Sequence, residues 1–529
     1  MSIIFNIAIG AIKGIYGFLR MIGFNWWFWL YLIPHILSYD TSEAWLNFTI
    51  IISLCQLACN IYQKVKHEPH MNVLKFAFLK IVTLVKTGVK GNKKGFEAKT
   101  DKVTKDDLNG VIFGKDGKNW VQKELKEDGH ILIMGGAGSG KTASIGLMTL
   151  NCYGGRVFAV DIKGELYNKT YRPKSLIKRF NPMLIGEDDI FGYDPFYMLK
   201  NSSNVVQDVT EIVQSLIPIT PEEKEPFWKE NAQAVLEGAI LYYHEMYNDM
   251  GFSEMIGKIA ERPIRELMQE IMKSDNRNAK IIIKDLVDLS DQTLSSITST
   301  LAPAIRPFAT DTNLIQALSG KGNVLTPADL ENGYDIFLQI PEDKIEQWKT
   351  MLNLMVNQFM KFFERRSDGD SYPILFMLDE FPRLGKINSV VNGLTTLRSK
   401  HIQIMMIIQS LAQLNVNYGK DVAKVVTDNC NYQAVLSATD PESQEWCSKK
   451  CGTYMEQRTS TNTGNSGKFG IKNNSSDGTT KSFQRDKIIQ PEEFGYLPQK
   501  RELIYYSPSG WKRLKQVRWY ECEKMFTAR

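Results

Sequence analysis

The stretch that decides the fold is His130-Ile-Leu-Ile-Met134-Gly135-Gly-Ala-Gly-Ser-Gly140-Lys141-Thr142. Residues 130–134 predict a short buried strand, and the helical pattern over residues 143–150 predicts a helix directly after the loop. The loop matches G-x-x-x-x-G-K-[ST]: backbone N–H groups wrap phosphates, the lysine reaches the β and γ phosphates, and the hydroxyl binds Mg²⁺. The predicted binding residues are Gly135, Gly136, Ala137, Gly138, Ser139, Gly140, Lys141 and Thr142.

A site of this type needs a second metal-binding element on a neighbouring strand. Pro373-Ile-Leu-Phe-Met-Leu-Asp379-Glu380 supplies it, because this continuous apolar run predicts a buried strand that ends in two carboxylates. We expect Asp379 to hold Mg²⁺ together with Thr142, and Glu380 to orient and deprotonate the attacking water. The adjacent glutamate favours an ATP-hydrolysing motor over a GTPase-type switch, so the predicted cofactors are ATP and Mg²⁺. An ordinary strand that ends in acidic turn residues is the alternative.

Two further predicted strands also end in polar residues. The strand Ile402–Ile408 ends at Gln409, and the strand over residues 156–160 ends at Asp161. An isolated glutamine would be a turn cap, but at the tip of the strand beside Asp379 it is placed as a γ-phosphate sensor of a RecA-like motor. We count Gln409 among the catalytic candidates and Asp161 among the cofactor-binding ones.

More than two hundred residues separate Asp161 from Asp379, whereas a parallel crossover needs only about 30. Apolar residues at helical spacing, broken by prolines such as Pro218, Pro263 and Pro303, predict an all-helical insertion over residues 200–320. The sheet is expected to resume at Tyr334–Ile340, and a long helix then runs to about residue 365. The predicted fold class is therefore α/β: a RecA-like P-loop motor domain, residues 101–199 and 321–529, with an inserted all-helical subdomain.

Two apolar stretches precede the motor. Residues 21–37 and 44–62 contain no Asp, Glu, Lys or Arg and number 17 and 19 residues, which is near the length that crosses about 30 Å of hydrocarbon. We expect an N-terminal two-helix transmembrane hairpin over residues 1–63 and a basic juxtamembrane linker over 64–100. A cleaved signal peptide and a buried helical pair in a soluble core are the alternatives.

The charges around these stretches predict their orientation. Basic residues flank the hairpin, and the charged residues of its connecting turn are both acidic, Asp40 and Glu43. By the positive-inside rule, both termini and the motor lie in the cytoplasm, and the protein is a multi-pass protein of the cell membrane. The whole chain has a net charge of +5. Residues 1–100 alone have a net charge of +7, so the net charge of the remaining residues is −2. The overall basic charge is therefore no argument for nucleic-acid binding.

Three segments of the sequence resemble those of a known family. These segments are Asp161-Ile-Lys163-Gly164-Glu165, Leu378-Asp-Glu-Phe-Pro-Arg383-Leu-Gly385, and Ile408-Gln-Ser-Leu-Ala-Gln-Leu414 with Tyr418-Gly419 downstream. They resemble the type IV secretion coupling proteins of the TraG/TraD type, whose motor domain is similar to FtsK-like DNA pumps. The resemblance extends from the hairpin to about Leu497.

The resemblance implies a membrane-anchored hexameric ATPase that docks a relaxase-bound DNA strand, or a protein substrate, at a secretion channel. The implied partners are DNA bound without sequence specificity, a relaxase or other secreted protein, channel proteins, the membrane and further copies of the chain. By the same resemblance Arg398 falls at the place of an arginine finger that reaches the neighbouring subunit's site. A solvated cation at a helix end is the alternative for Arg398, and an FtsK-like chromosome pump or a non-motor docking receptor is the alternative for the whole protein.

Three features stay open in the sequence. The Ser-, Thr-, Asn- and Gly-rich residues 459–482 predict a flexible surface loop, with substrate contact as a sharper alternative. Cys447 and Cys451 share a predicted helix without a second ligand pair, which disfavours a zinc site. Two basic clusters, residues 169–179 and 512–518, either track a DNA backbone or are solvated faces.

Overall fold

The computed structural model describes Ala98 and residues 103–219, 223–247, 249–369, 372–466 and 474–527. The predicted membrane spans and, apart from Ala98, the juxtamembrane linker lie outside the described residues. Among the helices of the described part of the chain, none has the length and apolar character needed to cross a bilayer.

The described residues form fifteen strands and sixteen α-helices. The strands are β1 (Val111–Asp116), β2 (Asn119–Lys123), β3 (Ile131–Met134), β4 (Arg156–Asp161), β5 (Ile177–Phe180), β6 (Gly192–Tyr193), β7 (Val324–Leu325), β8 (Asp335–Gln339), β9 (Ile374–Leu378), β10 (Ile402–Ile408), β11 (Tyr432–Val435), β12 (Thr453–Ser466), β13 (Asn474–Lys487), β14 (Glu502–Ser507) and β15 (Gly510–Lys515). The helices are α1 (Leu147–Cys152), α2 (Glu165–Lys169), α3 (Val205–Leu216), α4 (Pro226–Met246), α5 (Phe252–Glu261), α6 (Ile264–Lys273), α7 (Arg277–Ile283), α8 (Asp291–Thr310), α9 (Thr312–Ala317), α10 (Ile345–Glu364), α11 (Asn388–Thr396), α12 (Leu411–Tyr418), α13 (Lys420–Asn429), α14 (Pro441–Cys451), α15 (Leu497–Lys500) and α16 (Glu523–Phe526).

Eleven strands form one mixed sheet in the order β2-β1-β15-β14-β11-β3-β10-β9-β4-β8-β5. The strands from β11 to β5 are parallel, and β14, β15, β1 and β2 join them antiparallel. Parallel strands collect their carboxyl ends at one edge, where ligands bind in open α/β sheets. One expectation is corrected: β10 lies between β3 and β9, so the Asp379 strand is not the direct neighbour of the phosphate-loop strand.

Helices cover both faces of the parallel strands, which explains why those strands read as continuous apolar runs. On one face α10 packs against the sheet, with the Phe359 ring 4.6 Å from the Phe158 ring, which in turn lies 4.8 Å from the Phe376 ring. On the other face the buried Leu147 and Leu150 of α1 join the same apolar cluster as strand residues such as Ile133. The sheet edge that carries the site is therefore built on a rigid, doubly covered layer.

All elements from α3 to α9, between β6 and β7, are helical or 3₁₀. Their buried residues belong to the same hydrophobic core as residues of the sheet. For example, α6 contributes Leu267, Met268 and Ile271. Pro303, expected to end a helix, lies with Pro307 inside α8. The buried residues around it, Leu301, Ile305 and Phe308, anchor this helix to the core and explain why it continues.

The polar segment expected as a loop forms strands instead. β12 and β13 pair with each other in a two-stranded sheet, so the loop expectation is wrong for residues 459–466 and 474–482. Strand pairing is made by backbone N–H and C=O groups, which polar residues also carry, so a polar composition does not exclude a strand.

Candidate nucleotide-binding site

The phosphate loop connects β3 to a helical turn. Gly138 and Gly140 have φ angles of 73° and 95°, the left-handed region that glycine enters without cost. The loop is fixed from both sides, because the Gly135 N–H donates to the Ile408 carbonyl (3.2 Å) and the Gly136 N–H donates to Ser437 Oγ (2.8 Å). Sequence reasoning did not predict Ser437, which follows the neighbouring strand β11.

Lys141 and Thr142 open the helix after the loop. This helix begins as a π-helical turn, Lys141–Gly146, and continues as α1; such turns are rare and concentrate at functional sites. Lys141 Nζ donates to the carbonyls of Gly135 (2.5 Å) and Gly136 (3.1 Å), so the ammonium group is folded over the loop. Burial lowers the pKa of Lys141, against the opposing charges of Asp379 and Glu380.

Asp379 and Asp161 end neighbouring strands at the same level. Val160 pairs with Leu378 in the register of β4 and β9, and the next residue of each strand is the aspartate. Burial first, then the charges of Glu380 and Asp161, raises the pKa of Asp379 to about 6. Asp379 thus lies at the carboxyl edge of the parallel strands, two strands away from the phosphate-loop strand β3, and its contact with Mg²⁺ stays a prediction.

Asp161 is turned toward its own chain. Its carboxylate accepts the N–H groups of Leu166 (3.2 Å) and Tyr167 (2.9 Å) at the start of α2, and the Gln339 amide at 3.4 Å. Burial raises the pKa of Asp161 in spite of these hydrogen bonds. The structure therefore gives Asp161 a role in fixing the turn after β4, and its nucleotide contact stays a prediction.

Glu380 begins a tight turn after β9 and is held by two cations. Its backbone is left-handed (φ 49°), and its carboxylate accepts from Lys163 Nζ (2.8 Å) and from an Arg383 guanidinium N–H (3.0 Å). Burial pushes the pKa of Glu380 up, but the hydrogen bonds and charges of Lys163 and Arg383 outweigh burial and hold it below its ordinary value. Neither cation was singled out from the sequence, although both lie within the quoted segments.

Gln409 and Arg398 lie at opposite ends of β10. Gln409 follows the carboxyl end and accepts from the Gln413 side-chain amide (3.2 Å). Arg398 precedes the amino end and is exposed. β10 has 7 residues, which at about 3.3 Å per residue separates the two positions by more than 20 Å. The structure therefore brings Gln409 to the same edge as Lys141 and Asp379 and keeps Arg398 away from it.

A family model described as type IV secretory system conjugative DNA transfer matches residues 86–529. The chain belongs to this family. It is similar to protein VirD4 of Rhizobium radiobacter, 23% identical over 507 residues, with 93% of this chain and 70% of the relative covered. It is also similar to protein VirD4 of Rhizobium rhizogenes, 24% identical over 425 residues, with 78% of this chain and 62% of the relative covered.

Solved structures of the plasmid coupling protein TrwB share the fold. Its complex with the non-hydrolysable ATP analogue ADPNP matches with a TM-score of 0.59 at 17% identity, covering 80% of this chain and 96% of that chain. Its complex with ADP and Mg²⁺ matches with a TM-score of 0.52 at 18% identity, covering 73% of this chain and 84% of that chain. The expected α/β motor fold of this family is thereby confirmed.

The C-terminal segment of this family member also borders the phosphate loop. A Cβ atom added to Gly140 would lie 3.2 Å from Gln516 Oε1 and 3.9 Å from Arg518 Nε. Gln516 is buried, and Arg518 Nε is a buried donor without a hydrogen-bond acceptor in the described part of the chain. Only the fold reveals this contact, since more than 370 residues separate the two segments.

The basic clusters that the sequence left open are occupied by internal contacts. In the first cluster, ion pairs join Lys169 to Glu165, Arg172 to Asp335, Lys178 to Asp329 and Arg179 to Asp189. In the second cluster, ion pairs join Lys512 to Asp116 and Arg513 to Glu493 and Glu502. Neither cluster is simply a solvated face.

Cys447 and Cys451 are both buried in α14. Within the described residues, no group of three or more His, Cys, Asp or Glu side chains could hold a metal ion. Burial raises the pKa of Cys451 to about 11, so the thiols of this helix belong to the apolar core.

Proposed function

We propose that this protein is a membrane-anchored ATPase that couples transfer substrates to a type IV secretion or conjugation channel. It recruits relaxase-bound DNA, or a protein substrate, and drives its transfer by ATP hydrolysis. The observation that carries the proposal is the convergence of Lys141, Asp379, Glu380 and Gln409 at the carboxyl edge of three adjacent strands, β3, β10 and β9. Membership of the conjugative DNA transfer family supports the substrate class.

The residues present fit ATP and Mg²⁺. The phosphate loop offers backbone N–H groups, a lysine and the Thr142 hydroxyl, which together suit a triphosphate. The raised pKa of Asp379, about 6, reflects burial beside other carboxylates, and a bound cation reverses that effect. Thr142 and Asp379 would hold Mg²⁺, which supplies positive charge to the phosphate oxygens when bound.

The chemistry then falls to the side chains of this chain. Glu380 takes a proton from the attacking water, whose oxygen bonds to the terminal phosphorus while the bond to the ADP oxygen breaks. Lys141 neutralises charge on the phosphates, and Gln409 contacts the terminal phosphate at the tip of β10. Arg398 lies too far from this edge to act within its own subunit, so it serves the site of a neighbour in a hexamer.

The remaining parts of the proposal concern anchoring and domain organisation. The hairpin over residues 1–63 spans the membrane twice, with both termini and the motor in the cytoplasm, and residues 64–100 link it to the motor. Residues 200–320 act as an all-α insertion domain in a motor of residues 101–199 and 321–529. The basic flanks of the two apolar stretches support this topology.

Two alternative functions are less well supported. An FtsK-like chromosome pump is disfavoured because the matching family model describes conjugative transfer. A docking receptor that only binds nucleotide has little use for Glu380 held beside Asp379 at the end of β9.

The deciding experiment measures ATP hydrolysis by the purified full chain in detergent, with and without single- and double-stranded DNA. We expect the specific activity to rise with protein concentration and with DNA, and to be abolished by Lys141→Ala and by Glu380→Gln. Lys424→Ala, at an exposed position of α13, is the matched lysine control. Hydrolysis that is independent of protein concentration and indifferent to DNA would contradict the motor, and nucleotide binding without hydrolysis would favour the receptor.

A further inference from the structure

Both carboxylate oxygens of Glu380 are occupied. Oε1 accepts from Lys163 Nζ at 2.8 Å and Oε2 accepts from Arg383 at 3.0 Å. The Glu380 side chain is only 12% exposed, whereas the Lys163 side chain is 49% exposed. A carboxylate held on both oxygens by cations is a poor proton acceptor and is not free to approach a water molecule.

The turn that carries Glu380 is tethered to the helix after Gln409. Pro382 accepts a hydrogen bond from the Asn417 side chain (2.5 Å), and the Gly385 carbonyl accepts from the Tyr418 hydroxyl (3.1 Å). The Phe381 and Tyr418 rings stack at 5.5 Å. The turn is therefore fixed by packing, and the position of the Glu380 side chain is decided mainly by its two cations.

The Lys163 ammonium group lies where it could leave the Glu380 carboxylate and bind a nucleotide phosphate instead. It lies in the turn after β4, next to the left-handed Gly164 (φ 67°), and lines an open cavity of 540 Å³ at the carboxyl edge of the sheet. Its charge is close enough to the phosphate-loop lysine to contribute to the lowered pKa of Lys141. A terminal phosphate bound at the loop carries more negative charge than a carboxylate and competes with it for the ammonium group.

We propose that Lys163 and Arg383 are positioning residues that restrain Glu380 in a resting state, and that the terminal phosphate of a bound nucleoside triphosphate draws Lys163 away and frees Glu380. This inference rests on the proposed function, because it assumes that the phosphate loop binds a triphosphate. It adds a restraint that keeps hydrolysis off until the triphosphate is in place.

The first test is a zero-length carbodiimide crosslink on the full chain, read by peptide mass spectrometry. The Lys163–Glu380 contact is expected to crosslink in the nucleotide-free protein and to lose most of this crosslink with ADPNP, but not with ADP, which lacks the terminal phosphate. The Lys169–Glu165 pair, also within crosslinking reach, is the internal control and is expected to stay constant. In Lys141→Ala, ADPNP is expected to have no effect on either crosslink.

The outcomes separate the two proposals. If ADPNP binds, as read by fluorescent-nucleotide displacement, and the Lys163–Glu380 crosslink persists, the restraint is refuted while the ATPase proposal stands. If ADPNP does not bind, both proposals fall. Absence of the crosslink in the nucleotide-free protein also refutes the restraint.

The second test uses two neighbouring substitutions with opposite expected signs. Arg383 is shared between Glu380 and Glu342. Arg383→Gln is expected to raise DNA-free kcat about 3- to 10-fold with little change in KM, since one charge-assisted hydrogen bond to Glu380 is lost. Glu342→Gln is expected to lower DNA-free kcat, because Arg383 then binds Glu380 alone. A decrease in both variants would contradict the restraint, since general damage to the site lowers both.

Discussion

At the scale of single residues, neighbouring basic side chains have very different roles. Lys169 pairs with Glu165 on the surface of α2, and both side chains are substantially exposed (43% and 31%). Three residues later, the Arg172 guanidinium lies at the amino ends of β4 and β8, where it binds Asp335, whose side chain is 1% exposed. The same guanidinium donates to the carbonyls of Tyr153 and Gly155 (both 2.7 Å). Charge alone therefore does not distinguish a surface cation from a structural one.

Substitution of Arg172 is expected to destabilise the motor strongly. Within the described part of the chain, Arg172→Ala leaves the buried Asp335 carboxylate with the Val157 N–H (2.8 Å) as its one hydrogen-bond donor. Breaking a buried pair in this way costs about 3–5 kcal/mol. Lys169→Ala removes an exposed pair and is expected to cost less than about 1 kcal/mol. Urea denaturation of both variants measures the difference, and similar midpoints would contradict the buried role of Arg172.

Lys123 predicts a pH-dependent stability. Its side chain is fully buried at the end of β2, its Nζ donates to the Glu127 carbonyl, and burial lowers its pKa to about 8. Between about pH 8 and pH 10.5 the unfolded chain binds more protons here than the folded one, so this group makes the free energy of unfolding rise with pH. Lys123→Met lacks that dependence.

The stability of Lys123→Met relative to the wild type is therefore expected to fall by about 2 kcal/mol between pH 7 and pH 10. Urea denaturation at both pH values measures the change. Lys118→Met, at an exposed position of the turn between β1 and β2, is the control. A constant difference across this range would show that Lys123 is not buried as a charged group at neutral pH.

At the scale of elements, the strands that carry the site are predictable and their partners are not. Strands β3, β9 and β10 are buried on both faces, so β3 and β9 are uninterrupted apolar runs and β10 is apolar except for the buried Gln403. The residue after each run marks the carboxyl edge. The π-helical start at Lys141 has no sequence pattern to announce it. Lys163 was missed as a partner of Glu380 because 217 residues separate them, and strand order alone brings them together.

The ribbon of β12 and β13 is the element whose prediction was wrong, and it gives a direct test. Its chain enters and leaves the motor side by side, since the Ile488 N–H donates to the Gly452 carbonyl (3.2 Å). A short Gly-Ser turn in place of residues 457–482 is therefore expected to leave the melting temperature of the motor within about 2 °C of the wild type, because Phe469 and Ile471 are the only large apolar residues in this stretch of the sequence.

The same deletion variant also reports on function. DNA-free ATP hydrolysis is expected to be unchanged, because none of the residues at the phosphate loop or at the end of β9 is altered. A lowered melting temperature would show that the ribbon contributes to the core of the motor, and unchanged stability with lost DNA stimulation would assign it a substrate contact.

At the scale of the whole molecule, the predicted nucleotide-binding residues and the predicted arginine finger lie at opposite edges of the sheet. Its carboxyl edge holds Lys141, Asp379, Glu380 and Gln409, while Arg398 is exposed at the amino end of β10. A side chain on that side cannot reach its own phosphate loop. A second copy of the chain can present it to the site, and closed rings place each subunit's surface against a different surface of its neighbour.

This arrangement predicts complementation between two inactive variants. Lys141→Ala cannot bind the triphosphate productively but keeps Arg398, whereas Arg398→Ala keeps its own phosphate loop and cannot complete the neighbour's site. Each variant alone is expected to lose nearly all DNA-stimulated hydrolysis, since an arginine finger contributes about 10³-fold or more to kcat. In a randomly mixed ring at equal ratio, about a quarter of the interfaces join an intact loop to an intact arginine, so about a quarter of wild-type activity returns.

Mixed assemblies are formed by dilution and reassembly, and their ATPase rate is compared with the mean of the separate variants. Lys400→Ala, two residues from Arg398, is the control for a general loss of charge and is expected to retain activity. A mixture no more active than its two components would place Arg398 outside the hydrolytic site and leave it a solvated cation.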